Sequence, residues 1–560
     1  QCELAEAVPW GGMEGDLLGF PIPEEWGAPY REWRHRCRDN TDTLVQAWKA
    51  HLDKSRVRPP QGTATVPLQT QSRSFRRLLG RGVPQELRTT LWPLFCKVEE
   101  RRSRKSSKTY LEYRQVYEHL EGVNMDVKAE VEYSPQEAVI SCIYKDLWRT
   151  FPDHPLFCDS LDGSAVPSLE RILHAFVARN PNIGYTQGLS YVAGFLLLHY
   201  AYDPVAGRVH TPTPKEEEDA FWLFTSLIEE HFSDYFGDSL EGVRLDISCL
   251  SELVSAQLKD LGRHFENVGF DMSLAALDWL ICLFVTKLPS ESASRLLDRI
   301  MLEGSEAVFR GAFALLRFSM RSLLQCDSIP DIRMTMDKIS ASLFDSDALM
   351  KVFDSVVSVD RTIIGKCRER QRALITREHR QLNQRRLVHD LHQNTAFSSE
   401  ELNKLLREFF VLLRKESHFA SELEDPLHED AGLSEKQFSE LLKQVLPRWE
   451  HTTERVHLFF RAFDKNKDGR LSFQELILGF AMLLRGNLSQ KLRVIFNAFD
   501  VDSSDSISRE ELYELVYTVN TMVQLPNAQE RAYRFVEMNF DFLDQNKDGS
   551  IDFDEFQKAA

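Results

Sequence analysis

The chain has 560 residues, a formal net charge of −17, and 43% hydrophobic and 27% charged residues. That length predicts about three or four domains, with ordinary apolar content for packed cores. The acidity excludes a general nucleic-acid binder, which needs a basic stripe along its contact face. Nine cysteines are scattered singly with no Cys-x-x-Cys, a pattern expected of reduced thiols in an intracellular protein. Residues 1–7 show neither a basic nor an apolar leader region, so no signal peptide is expected. The longest apolar runs, 191–202 and 275–285, fall short of the roughly 20 residues that a membrane span needs. The expectation is a cytoplasmic, multidomain protein.

Residues 1–74 are dense in breakers, among them Pro9, Gly11, Gly12, Pro21, Pro23, Pro59 and Pro60. Around one helical piece at 30–52, they predict an arm or extension of the following domain. From Phe75 to about residue 345 helical periodicity takes over. Gly82 permits a bend, Pro84 suits a first helical turn, and Arg88 and Trp92, four apart, share a helix face. Further helices are predicted over 110–120, 135–150, 168–180, 188–202, 216–232, 250–261, 273–286, 290–303 and 305–324, with a polar loop over 203–219. Strand-like alternation is almost absent, so the fold class is all-α.

Residues 346–397 form a basic helical connector: Arg361, Lys366, Arg368, Arg370, Arg372, Arg377, Arg380, Arg385 and Arg386, with Leu374, Ile375, Leu382, Leu387 and Leu391 at roughly helical spacing. It reads either as a solvated helix leaning on the preceding domain or as a basic amphipathic segment of the kind EF-hand lobes clasp.

The remainder, 398–560, is acidic and repetitive. A calcium-binding EF-hand loop has twelve residues, with oxygen ligands at positions 1, 3, 5, 7 (backbone), 9 and 12, and glycine at 6. Asp464, Asn466, Asp468, Arg470 (backbone) and Glu475 fit this spacing around Gly469, as do Asp544, Asn546, Asp548, Ser550 and Glu555 around Gly549. A third loop, with Asp500, Asp502, Ser504, Ser506 and Glu511, keeps the ligands but puts Asp505 where glycine belongs. A fourth, degenerate hand is expected over about 409–445, its loop at 424–435 lacking ligand spacing and pairing structurally with the loop at 464–475. Ca²⁺ is the cofactor this module predicts. On binding it, such hands can expose an apolar groove, which here would grip either the basic segment 359–392 or a partner's helix; the alternative is calcium held constitutively as a structural ion.

Two short motifs remain: Ile143-x-x-Asp146-x-x-Arg149-Thr-Phe-Pro152 and Gly184-Tyr185-x-Gln187-Gly188. Alone, Asp-x-x-Arg is an ordinary i,i+3 ion pair. An arginine and a glutamine so placed are, however, the kind of pair that completes another protein's active site, where charge on phosphate oxygens must be stabilised and a water aligned. A permanently charged arginine fork suits the first task. A glutamine amide suits the second, since it accepts from water while donating to a phosphate oxygen. No phosphate-binding loop, His-Glu-x-x-His or Gly-x-Ser-x-Gly occurs, so no stand-alone hydrolysis is expected.

In order with Arg81-Gly-Val-Pro84, Arg88 and Trp92 before them, and Leu288-Pro289, Leu297-Asp298 and Glu303-Gly304-Ser305 after, these motifs resemble the TBC domain of Rab GTPase-activating proteins over 75–345. One departure is Leu297, where that family usually has tryptophan. The resemblance implies that Arg149 is an arginine finger and Gln187 a glutamine finger replacing the GTPase's own, both supplied in trans to a GTP-bound Rab. Asp146 would orient the guanidinium and Tyr185 would pack beneath the glutamine loop. It also implies a role in vesicle trafficking, with recruitment to endomembranes through the Rab. The alternative is a non-catalytic, calcium-responsive Rab-binding scaffold, which would have no use for both Arg149 and Gln187.

Overall fold

The computed structural model describes residues 15–54, 72–104, 108–118, 135–158, 164–237, 240–416, 431–445, 453–502, 504–523 and 525–559. They fall into two compact units, Gln1–Arg372 and Ala373–Ala560, and both are helical, as the periodicity predicts. The boundary lies inside the 34-residue helix Arg361–Asn394. The segment expected as a separate connector is therefore divided: Arg368 and Arg370 pair with Asp246 and Glu252 of the first unit, while Val388 and Leu391 enter the core of the second.

At the centre of the first unit lie three mutually packed helices, Val166–Arg179, Leu189–Tyr200 and Pro214–His231. Leu189–Tyr200 is apolar on every side and is buried along nearly its whole length, as a helix without a polar face must be. Several elements differ from expectation for local reasons. The helix predicted over 110–120 is only Tyr110–Arg114, opened by a Thr109–Glu112 capping box. The one predicted over 250–261 is two, Glu241–Gln257 and Lys259–Val268, meeting at Leu258. The 273–286 helix stops at Ile281, and Leu283 and Phe284 turn the chain with φ of 46° and 67°. In the 203–219 loop, Tyr202–Asp203 pairs antiparallel with Arg208–Val209, and Pro214–His231 starts early on a Thr213–Glu216 capping box.

The Arg81-Gly-Val-Pro84 signature turns out to be structural. Asp298, buried on helix Ser290–Glu303, accepts from Arg88 Nε (3.1 Å), Trp92 Nε1 (2.9 Å) and the Val83 N–H (3.1 Å). Arg88 also donates to Gln85 (2.8 Å), which bonds His199, itself bonded to Ser294. Burial, reinforced by the Arg88 charge, holds His199 well below its ordinary pKa, so it is neutral. Leu297 fills a fully buried position on the same helix.

In the second unit, helices bracket short loops that pair two by two, one pair through a two-residue antiparallel ladder and the other through an isolated bridge. Ser506–Ile507 pairs antiparallel with Ile551–Asp552. Leu433 and Leu471 exchange two backbone hydrogen bonds of 2.9 Å. Phe438, Phe463 and Phe480 interlock beneath the second bridge, with ring centroids 5.6–6.4 Å apart.

Candidate functional site

Arg149 sits just past the C-terminus of helix Pro135–Leu147. Its guanidinium bonds one carboxylate oxygen of Asp146, and the Tyr185 hydroxyl donates to the other at 2.7 Å. Asp146 is almost fully buried whereas the Arg149 side chain is 52% exposed. The ion pair is thus anchored from inside and offered to solvent at its charged end. Burial, with Asp146 adding to it, pushes the Tyr185 hydroxyl well above its ordinary pKa, so it stays a donor. One carboxylate joins the arginine and glutamine motifs, 39 residues apart.

Gln187 is exposed, and among the described residues its amide has no hydrogen-bond partner. Its loop leaves helix Val166–Arg179 and re-enters at Leu189–Tyr200 through Gly188, φ 110°. A Cβ at Gly188 would lie 2.9 Å from the Ile281 carbonyl oxygen. Any side chain there would therefore displace the glutamine loop from the Ser273–Ile281 helix.

Two further links escape a sequence reading because nothing local signals them. The Tyr191 hydroxyl donates to the Arg149 carbonyl at 2.8 Å. Thr150 donates to the Asp146 carbonyl (2.7 Å) and shares a hydrogen bond with the Ser190 hydroxyl (2.9 Å). Trp148, the residue before Arg149, is exposed.

The three ligand-bearing loops of the second unit share one construction. Position 9 caps the following helix and position 12 closes its capping box: Ser472 with Glu475, Ser508 with Glu511, and Asp552 bonded to Glu555 in the same way. The N–H at position 6 donates to the position-1 aspartate: Gly469 to Asp464 (3.0 Å), Asp505 to Asp500 (3.1 Å), Gly549 to Asp544 (2.9 Å). Asp505 adopts φ 58°, against 77° and 88° for the two glycines. An aspartate tolerates that left-handed conformation better than most residues, and Arg493 holds its side chain at 2.7 Å. Asn466 and Asn546 accept from the N–H of Asp468 and Asp548 at 3.1 and 2.8 Å.

The donor sets suit a hard divalent cation. Asp464 Oδ1 is buried without any partner, a cost a cation would remove. Burial, followed by the neighbouring Asp468 and Glu475 charges, raises the Asp464 pKa. Asp500, Asp502 and Glu511 bring ligand oxygens within 4.8 Å of one another. The loop with the least regular sequence thus gathers its acids closely.

The segment expected as a fourth hand pairs in a different register from the one its acidic residues suggest. Leu433 faces Leu471, and Ser434 with Gln437 makes the bonds that Ser472 makes with Glu475. The position for a chelating glutamate is therefore Gln437, a neutral side chain whose amide donates to the Leu412 carbonyl at 2.8 Å. The stretch 424–430 lies outside the described residues. The overlooked signal was Ser434-x-x-Gln437, a capping box.

Comparison with known proteins agrees with this architecture. The Rab-GTPase-TBC domain family matches residues 85–324, and an EF-hand domain pair matches 453–517 and again 489–560. "Growth hormone-regulated TBC protein 1" of Rattus norvegicus is 31% identical over 233 residues, covering 41% of this chain and 76% of the relative. That of Xenopus tropicalis is 28% identical over 369 residues, covering 65% and 96%. Among solved structures, a Chlamydomonas flagellar RabGAP TBC domain is 26% identical with a TM-score of 0.46, covering 61% of this chain and 99% of that one. The chain belongs to the TBC-domain family of Rab GTPase-activating proteins and carries C-terminal EF-hands. Among the described residues no helix is long and apolar enough to cross a membrane.

Proposed function

We propose that this chain accelerates GTP hydrolysis by a Rab-family GTPase, supplying Arg149 as the charge-stabilising finger and Gln187 as the water-aligning finger. The observation that carries the reading is Asp146, which bonds the Arg149 guanidinium and the Tyr185 hydroxyl at once. It leaves the arginine and Gln187 directed to solvent, as residues awaiting a docked nucleotide must be. A side chain serving stability alone gains little from a half-exposed ion pair. The GTPase is then the nucleotide-bound partner, and it brings the activator to an endomembrane involved in vesicle trafficking.

The EF-hands bind Ca²⁺ in this reading. Asp464, Asn466, Asp468, Arg470 (backbone) and Glu475 would hold one ion. Asp500, Asp502, Ser504, Ser506 (backbone) and Glu511 would hold a second, and Asp544, Asn546, Asp548, Ser550 (backbone) and Glu555 a third. Calorimetric calcium titration of the full chain should show three sites, and Glu511→Gln should remove one of them. Two sites in the unmodified chain would mean that the Asp505 loop does not bind.

Helix Ala528–Leu543 leaves Phe535, Met538 and Phe542 exposed, at i, i+3 and i+7 on one face. That face supports a calcium-responsive contact with a helix, either the basic segment or a partner's, which changes access to Arg149 and Gln187. Single-turnover hydrolysis across a panel of GTP-loaded Rabs, with calcium and with chelator, tests both levels. The expected result is strong activation of one or a few Rabs at a rate that differs between the two conditions. Equal rates would remove the regulatory role, and no activation of any Rab would favour the scaffold.

A further inference from the structure

We infer that the turn Gly15–Pro21, far outside the family-matched region, is a positioning clamp for Arg149 that acts through the left-handed residue Phe151. The inference rests on the reading of Arg149 as the finger.

The turn closes on a Gly15–Pro21 bridge, inside which Asp16 accepts from the N–H groups of Leu18 and Phe20 at 3.0 Å each. It is fastened to the start of helix Ser290–Glu303. The Ser290 N–H donates to Asp16 (3.2 Å) and the Leu17 N–H donates to Glu291 (3.1 Å). The Tyr30 hydroxyl donates to the same glutamate.

From this base the Phe20 ring packs edge-on against Phe151, with centroids 5.0 Å apart, and lies 4.8 Å from the His154 ring. His154 Nε2 bonds the Leu18 carbonyl at 2.8 Å, while its Nδ1 accepts from the Leu156 N–H at 3.2 Å. Those bonds define a neutral ring with the proton on Nε2, and burial keeps it neutral by lowering its pKa to about 4. The turn fits closely: at Gly19, φ 94°, a Cβ would lie 3.2 Å from that same Nε2.

Phe151 is what needs holding. It stands two residues after Arg149 with φ 50°, a left-handed conformation that is costly for an ordinary L-residue. The following Pro152 narrows its options further. Such a residue persists only where its surroundings over-determine it. Here they are Phe20, Phe157 and Tyr191, and Tyr191 is the residue that also bonds the Arg149 carbonyl. A half-open pocket of about 520 Å³ is lined by Phe20, Phe151 and Tyr191, so without Phe20 there is room for Phe151 to relax. Relaxation at 151 redirects the backbone from which the guanidinium projects.

The test uses the full chain and the GTP-loaded Rab that responds most strongly in the panel. Phe20→Ala is expected to lower the maximal single-turnover rate roughly 10- to 100-fold, the scale of an ångström-sized misplacement, with the half-saturating activator concentration unchanged. Gly19→Ala, which shifts the turn without removing core volume, is expected to act in the same direction by a smaller factor. In an Arg149→Ala background, neither change should lower the residual rate further. Wild-type maximal rates in both variants, a change in half-saturation alone, or an undiminished further loss without Arg149 would overturn the clamp. A wild-type rate for Arg149→Ala by itself would instead overturn the finger.

Discussion

Arg149→Ala is expected to lower activated GTP hydrolysis by roughly 10³- to 10⁵-fold, the range found for arginine fingers elsewhere, with the fold retained. The magnitude follows from the task. In hydrolysis, charge on the bridging and γ-phosphate oxygens is met by preorganised donors in a site that excludes water. The Arg149 guanidinium is preorganised by Asp146, which is itself buried and held by Tyr185. Stability should fall modestly: the guanidinium is half-exposed, but its loss leaves the buried Asp146 carboxylate with the Tyr185 hydroxyl as its remaining partner, a cost of about 1–3 kcal/mol. Gln187→Ala, which removes an exposed amide with no structural bond, is expected to slow the reaction by at least roughly 10²-fold. Wild-type activation by either variant would sink its assignment.

Asp298→Ala is expected to have the largest effect on folding, lowering the stability of the first unit by about 3–5 kcal/mol, the cost of breaking a buried pair from one side. It would leave the Arg88 guanidinium, the Trp92 indole N–H and the Val83 N–H without their acceptor. Since domains are stable by only about 5–15 kcal/mol, the urea midpoint should fall clearly. Replacing both charges with apolar residues, as in Arg88→Met with Asp298→Leu, should recover much of the loss, because no unpaired charge remains. A single-variant midpoint matching the wild type would contradict the reading of Arg81–Trp92 as a structural anchor.

The all-α class was legible because periodicity is a local property, and helix Ser290–Glu303 was predicted to the residue. Boundaries were lost where the decisive bond is a cap or a tertiary contact. The Thr213–Glu216 and Ser434–Gln437 boxes were visible in the sequence but outweighed by nearby prolines and acids. The turn at Leu283 and Phe284 is invisible in an apolar run, since left-handed backbone at buried residues is imposed by packing. The same limit applies at the site. Arg149, Gln187, Asp146 and Tyr185 were readable as motifs, whereas Tyr191, Thr150 and the Phe20 contact depend on chain segments up to about 130 residues apart.

The central claim is that both fingers come from this chain. The most direct measurement takes the most responsive Rab, replaces that GTPase's own catalytic glutamine with alanine, and follows single-turnover hydrolysis with wild-type activator and with Gln187→Ala. The account predicts that wild-type activator still accelerates the altered Rab strongly and that Gln187→Ala does not. Loss of acceleration by the wild-type activator would contradict it, because the water would then be aligned by the GTPase itself.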